Sequence, residues 1–165
     1  MDKSELAKLT ALFTKLGAPD PAGWACSQVT EGIPQLARFV FLREAWRRVL
    51  AEDDVAWIDA TIAATEADPG APFAGVGAAL ARLRAQGAGD ADLTEVIRGM
   101  QAATLFSFTR LLDDPGELEP EVADVAWALV QISPDGEVLG QISGLHESVL
   151  ETDPTGREMR PRPDV

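Results

Sequence analysis

Cys26 and His146 are the only cysteine and the only histidine of this chain, which has no tyrosine. Near neutral pH these side chains supply most nucleophiles, bases and metal ligands, because their pKa values are the easiest to tune. A Cys26–His146 dyad oriented by Glu31 or Glu147 would be a thiol nucleophile with its base, provided that the fold brings the two halves of the chain together. Taken singly, a lone cysteine is a small hydrophobe and a lone histidine a core or turn residue. The expectation is a protein without catalytic activity.

The second constellation centres on Arg38. A helix starting at Pro34 places Phe41, Leu42, Ala45, Trp46, Val49 and Leu50 on one apolar arc and Arg43, Glu44, Arg47 and Arg48 mostly on the other side. Arg38 falls inside the apolar arc, with Gln35 beside it. A buried guanidinium needs a partner, since an isolated buried charge is too costly. Glu31 and Gln28 share its side if the preceding helix runs on in line, and Trp24 stands at the same end. The candidate ligand-binding residues are therefore Trp24, Gln28, Glu31, Gln35, Arg38 and His146. As a structural element the cluster predicts Arg38 paired with Glu31; as a functional one, it predicts a pocket whose arginine holds a carboxylate or other small anion.

Other motifs carry less. Gly75-Val76-Gly77-Ala78-Ala79-Leu80 resembles a dinucleotide fingerprint in spelling only, because Asp68-Pro69-Gly70-Ala71-Pro72 stands where a strand is required. Close helix packing across small residues explains it, and no cofactor is expected. The pairs Asp53-Asp54, Asp90 with Asp92, and Asp113-Asp114 lack calcium-loop spacing and sit where helices begin or end. One Cys and one His give no zinc set, so no metal is expected.

These residues must be positioned by an α+β fold, mostly helical through the N-terminal two-thirds, with a C-terminal three- or four-stranded antiparallel β-meander. Asp2 and Glu5 have capping-box spacing before Leu6, Leu9, Phe13 and Leu16, and Gly17 is the stop. Asp20-Pro21 starts a short helix that falters at Gly32, and Pro34 begins a long one to about Ala51. Asp53 caps a helix with Val55, Ile58 and Ile62. A shorter one holds Phe73, Val76, Leu80 and Leu83 and closes at Gly87. Asp92 and Glu95 start a helix running to Leu112 that is apolar around much of its circumference.

The expected organisation is one domain over 1–165: a helical part (1–112), an exposed acidic linker (113–124), the meander (125–161) and a frayed tail (162–165). Ser133-Pro134-Asp135-Gly136 reads as a hairpin turn between Trp127–Ile132 and Val138–Ile142. Asp153-Pro154-Thr155-Gly156 reads as a second turn, between Ser148–Glu151 and Arg157–Met159.

The formal charge is −13 over 165 residues, with 46% hydrophobic and 25% charged residues, an ordinary globular balance. Residues 51–124 hold fifteen acids against four arginines (Arg82, Arg84, Arg98, Arg110). That excess disfavours nucleic acid and favours a basic protein partner, or only a solvated surface. No apolar run reaches membrane-span length, the N-terminus lacks a signal-peptide pattern, and a single cysteine suits a reducing compartment. Composition thus predicts a cytoplasmic protein, bacterial by its Ala, Gly, Pro, Asp and Arg richness. It predicts a non-catalytic protein-binding module with an acidic surface. The alternative is a small-molecule (anion) binder or small hydrolytic enzyme with a pocket around Arg38, Cys26 and His146.

Overall fold

The computed structural model describes residues 3–114, 116 and 118–162. Among these it is mostly helical: α1 (Lys3–Leu16), α2 (Pro21–Glu31), α3 (Gln35–Trp46), α4 (Ala56–Ala67), α5 (Ala74–Ala85), α6 (Asp90–Asp113) and α7 (Leu145–Ser148), with strands β1 (Leu129–Ile132) and β2 (Val138–Ile142). The chain forms two compact units, one of residues 1–48 and 103–165, the other of residues 49–102.

In the first unit, α1 turns Leu6, Leu9, Phe13 and Leu16 to one side, and Phe13 is wholly buried. Its end follows from Gly17, which takes φ +81° so that the Ala18 N–H reaches back to the Phe13 carbonyl (3.0 Å). Asp2, half of the expected capping box, lies outside the described residues. Helix α2 starts as its sequence predicts, with the Asp20 carboxylate accepting the Gly23 N–H (2.9 Å) and Pro21 in the first turn. Gly32, at φ +71°, ends it.

Helix α3 then begins under a cap from α2: Gln28 Oε1 accepts the Leu36 N–H (2.8 Å). The rings of Phe13, Trp24 and Phe39 enclose the core of the first unit, with centroids 5.5–6.0 Å apart in tilted and edge-on pairs. Lower on α3, Leu42 and Trp46 are buried, and the Trp46 indole N–H donates to the Val149 carbonyl (2.8 Å). The expected continuation of α3 to Ala51 does not form. Leu50 instead gives its carbonyl to Arg98 (2.6 Å) and its N–H to the Gln101 side chain (2.8 Å), two partners on α6.

The hairpin forms as expected: β1 and β2 pair antiparallel with Leu129 opposite Ile142, and a bulge falls at Gln131/Ile132. Its turn closes through Gly136 N–H to Ser133 O (2.9 Å), with Gly136 at φ +85°. The three- or four-stranded meander is corrected to this two-stranded sheet, the only sheet among the described residues. Leu145–Ser148 is helical, and Thr152 N–H bonds Ser148 O (3.1 Å), so that buried Leu145, Ser148, Val149 and Thr152 follow helical rather than alternating spacing. The second turn exists, with Gly156 N–H on Asp153 O (2.9 Å), but the Asp153 carboxylate gathers Thr155 and the Met159 N–H into a closed loop, leaving no strand to pair. Within the expected linker, Pro120–Val122 forms one 3-10 turn and Asp113 ends α6; Pro115, Glu117 and the tail from Pro163 lie outside the described residues.

In the second unit α4 packs closely on α5 because Gly77 has no side chain: a Cβ there would stand 2.1 Å from Thr65 Oγ1 and 2.6 Å from the Thr61 carbonyl. The Asp54 carboxylate accepts the Ala56 N–H at the start of α4 (3.0 Å). Arg84 of α5 pairs with Asp59 and with Asp90 (2.6 Å), and its guanidinium holds the Asp90 carboxyl below the usual range. Phe73 precedes α5 at φ +71° with its ring 88% exposed.

Burial separates the phenylalanines energetically. Phe13→Ala should lower unfolding stability by about 3–5 kcal/mol through the cavity it leaves, whereas Phe73→Ala should shift it by less than about 1. Denaturant melts of the two variants check the difference.

Candidate functional site

A cleft of about 350 Å³ in the first unit carries the densest polar chemistry. Three segments build it. The first turns of α2 contribute Asp20, Gly23, Trp24 and Ser27; α3 contributes Gln35 and Arg38, one turn apart; and α7 with its following turn contributes Glu147, Ser148 and Glu151. Trp24 joins two of these walls, since its indole N–H donates to Glu151 Oε1 (3.2 Å).

Arg38 lies half-buried in this cleft and has no ion-pair partner among the described residues. Its one contact is long, Nη1 to Ser148 Oγ at 3.5 Å, and its Nε is buried without an acceptor. The guanidinium rests against Gly144, where a Cβ would come within 2.8 Å of Nη2, and Gly144 itself takes φ +69°. Gln35 is 8% exposed; its Nε2 donates to Ser27 Oγ (2.9 Å), while its Oε1 is buried with no donor.

The expected Arg38–Glu31 pair is therefore corrected. Glu31 is exposed at the end of α2, and the left-handed Gly32 followed by Pro34 resets the direction of the chain, so the helical phase is not carried from Glu31 to Arg38. Of the six residues expected at the site, Trp24, Gln35 and Arg38 come together. Gln28 is used to cap α3, and His146 is not among the residues lining the cleft.

His146 is held by Asp113, the residue expected in a solvated linker. Its Nδ1 lies 2.6 Å from Asp113 Oδ2, which also accepts the His146 backbone N–H (2.9 Å), and the Asp113 side chain is only 6% exposed. Burial works against the ionised Asp113 carboxyl, but these two donors, with the Leu145 N–H, outweigh it and hold its pKa below the ordinary value. Cys26 is exposed, and no hydrogen bond joins it to His146.

Sequence reasoning missed Ser148, Glu147 and Glu151 as cleft residues because a strand would have sent alternate side chains to opposite faces. The signal available was the spacing of Leu145, Val149 and Ser148, Thr152 four apart. A second groove of about 370 Å³, in the other unit, is lined by Trp57, Thr61, Thr65 and Ala71–Ala74. It holds no ionisable group, and its hydroxyls and indole N–H are hydrogen-bonded within the fold. Comparison of the chain with family models, with curated proteins and with solved structures found no match.

Two outcomes follow from this geometry. With no carboxylate to orphan, Arg38→Met should leave the thermal midpoint unchanged or raise it, where breaking a buried pair would cost about 3–5 kcal/mol. For Asp113, a folded pKa depressed below 3.8 means that its stabilisation is complete above that value and disappears as pH falls through the folded one. Asp113→Asn should therefore melt below wild type at pH above about 5, and the gap between the two curves should narrow as pH falls below 3.8 through the folded value.

Proposed function

We propose that this protein is a non-catalytic binding protein whose cleft at Arg38 holds a small ligand by its carboxylate. One observation carries the reading: a half-buried guanidinium with no ion-pair partner stands in a cleft beside the buried, unpartnered Oε1 of Gln35. Buried polar groups are normally satisfied, and a group left open in a concave site is placed for a ligand. Arginine presents a planar fork that matches a carboxylate with two parallel hydrogen bonds. Binding rather than hydrolysis is favoured because neither Cys26 nor His146 lines the cleft.

The compartment proposed is the bacterial cytoplasm, on the strength of the lone Cys26. No helix among the described residues is long and apolar enough to cross a membrane. An acidic face for a basic protein partner is the second reading, favoured by the fifteen acids of residues 51–124. Some of those carboxylates are engaged within the fold, as Asp59 and Asp90 are by Arg84 and Asp113 is by His146.

Calorimetric titration of the full chain with a panel of short organic acids, free amino acids among them, tests the first reading. At least one acid should bind, and Arg38→Met should weaken it at least about tenfold, since truncating one member of a desolvated charge pair costs more than 1.4 kcal/mol. Binding that survives Arg38→Met, or no binding across the panel, overturns it.

A further inference from the structure

We infer that the ligand of the Arg38 cleft is an α-amino acid with a basic side chain, an inference that rests on reading the cleft as a carboxylate site. The cleft's charges set the class. Its lining holds one cation, Arg38, and three carboxylates, Asp20, Glu147 and Glu151. A phosphate, a sulfate or a simple acid would satisfy the guanidinium while facing an uncompensated excess of negative charge. A ligand that offers a carboxylate together with positive charge meets both signs.

The spacing sets where those charges must lie. Gln35 and Arg38 are three residues apart on α3, so their side chains are neighbours, with Cβ atoms about 5–6 Å apart. One is a donor fork whose Nε has no acceptor and whose Nη1 has only the long Ser148 contact, and the other a buried acceptor without a donor. A carboxylate and an ammonium on the same carbon can engage such adjacent groups together: the carboxylate on Arg38, and the α-ammonium on Gln35, whose side chain turns to bring its solvent-closed Oε1 to it. Ser27 Oγ, which accepts from Gln35 Nε2, keeps its own proton to donate.

On the facing wall Glu147 and Glu151 are four residues apart, along the turn that α7 continues through the Thr152 N–H to Ser148 O bond (3.1 Å). They therefore project to one side. Glu151 is fixed at Oε1 by the Trp24 indole (3.2 Å), and Glu147 is exposed and has no partner. Two carboxylates opposite an amino-acid anchor select a cationic side chain. A volume of about 350 Å³ lies at the small end of ligand pockets, which suits a single amino acid.

Titration calorimetry of the full chain with six probes tests this. L-lysine or L-arginine should bind; L-norleucine, without the second cation, agmatine, without the carboxylate, and Nα-acetyl-L-arginine, which imitates a peptide C-terminus, should each bind at least about tenfold more weakly. Glu147→Gln, at an exposed residue whose loss does not threaten the fold, should weaken lysine by a similar factor and leave norleucine unchanged. Norleucine equal to lysine overturns the basic side chain, and Nα-acetyl-L-arginine equal to arginine overturns the free α-ammonium. Propanoate as tight as lysine, and lost in Arg38→Met, overturns the amino acid while leaving the carboxylate site standing. If no binding depends on Arg38, both readings fall.

Discussion

The first unit depends on Trp24, which is used twice. Its ring packs edge-on against Phe39 and tilted against Phe13, so that α1, α2 and α3 share one apolar centre. Its indole N–H is a donor that burial obliges to find an acceptor, and it finds Glu151 in the C-terminal segment. The same residue therefore closes the helical core and fixes the cleft wall opposite Arg38. The other tryptophans of the unit work likewise, Trp46 tying α3 to the Val149 carbonyl and Trp127 tying the approach to β1 to the Leu111 carbonyl at the end of α6 (2.6 Å). A hairpin of two strands is marginal alone. Here these directed bonds, with the packing of α3 on β2 and α7, supply the tertiary support that it lacks.

Glycine decides how Arg38 is held. The backbone turns into α7 through Gly144 at φ +69°, a conformation unfavourable for side chains, and the missing Cβ leaves the space in which the guanidinium rests. Half-burial, rather than full burial, keeps the unpaired charge tolerable because part of its hydration survives. Gly32 acts in the opposite sense: by turning the chain between α2 and α3 it removes Glu31 from Arg38.

That single left-handed residue marks the boundary of what the sequence made legible. Within each continuous helix, apolar spacing and capping residues placed α1, α2 and the two helices of the second unit to within a few residues, because those signals are local. The Ser133–Gly136 hairpin was equally readable, as its turn chemistry fixes both position and register. Phase across a break was not readable, so Arg38 was assigned a partner that the turn at Gly32 takes away. The segment after Gly144 failed for another reason. Val149-Leu150 has strand propensity, but the pull of buried Leu145 and Val149 on the same side is tertiary and wins. Asp113 stood in a run of acids that reads as solvated, and only the approach of His146 makes it a buried acceptor.

The choice of a free guanidinium is the more telling for the company it keeps. The chain carries 27 acidic residues against 14 lysines and arginines, so partners for any one arginine are abundant. Arg84, in the second unit, has taken two of them. Arg38 has three carboxylates lining its own cleft and none within ion-pair distance, even though closing such a contact would relieve its buried Nε. What keeps two of them apart is visible in the fold: Asp20 is fixed at the Gly23 N–H and Glu151 at the Trp24 indole, while Glu147 lines the cleft as an exposed residue of α7. The opposite charges of the cleft are thus held open by bonds made elsewhere, which is the condition under which a ligand, rather than the protein itself, completes them.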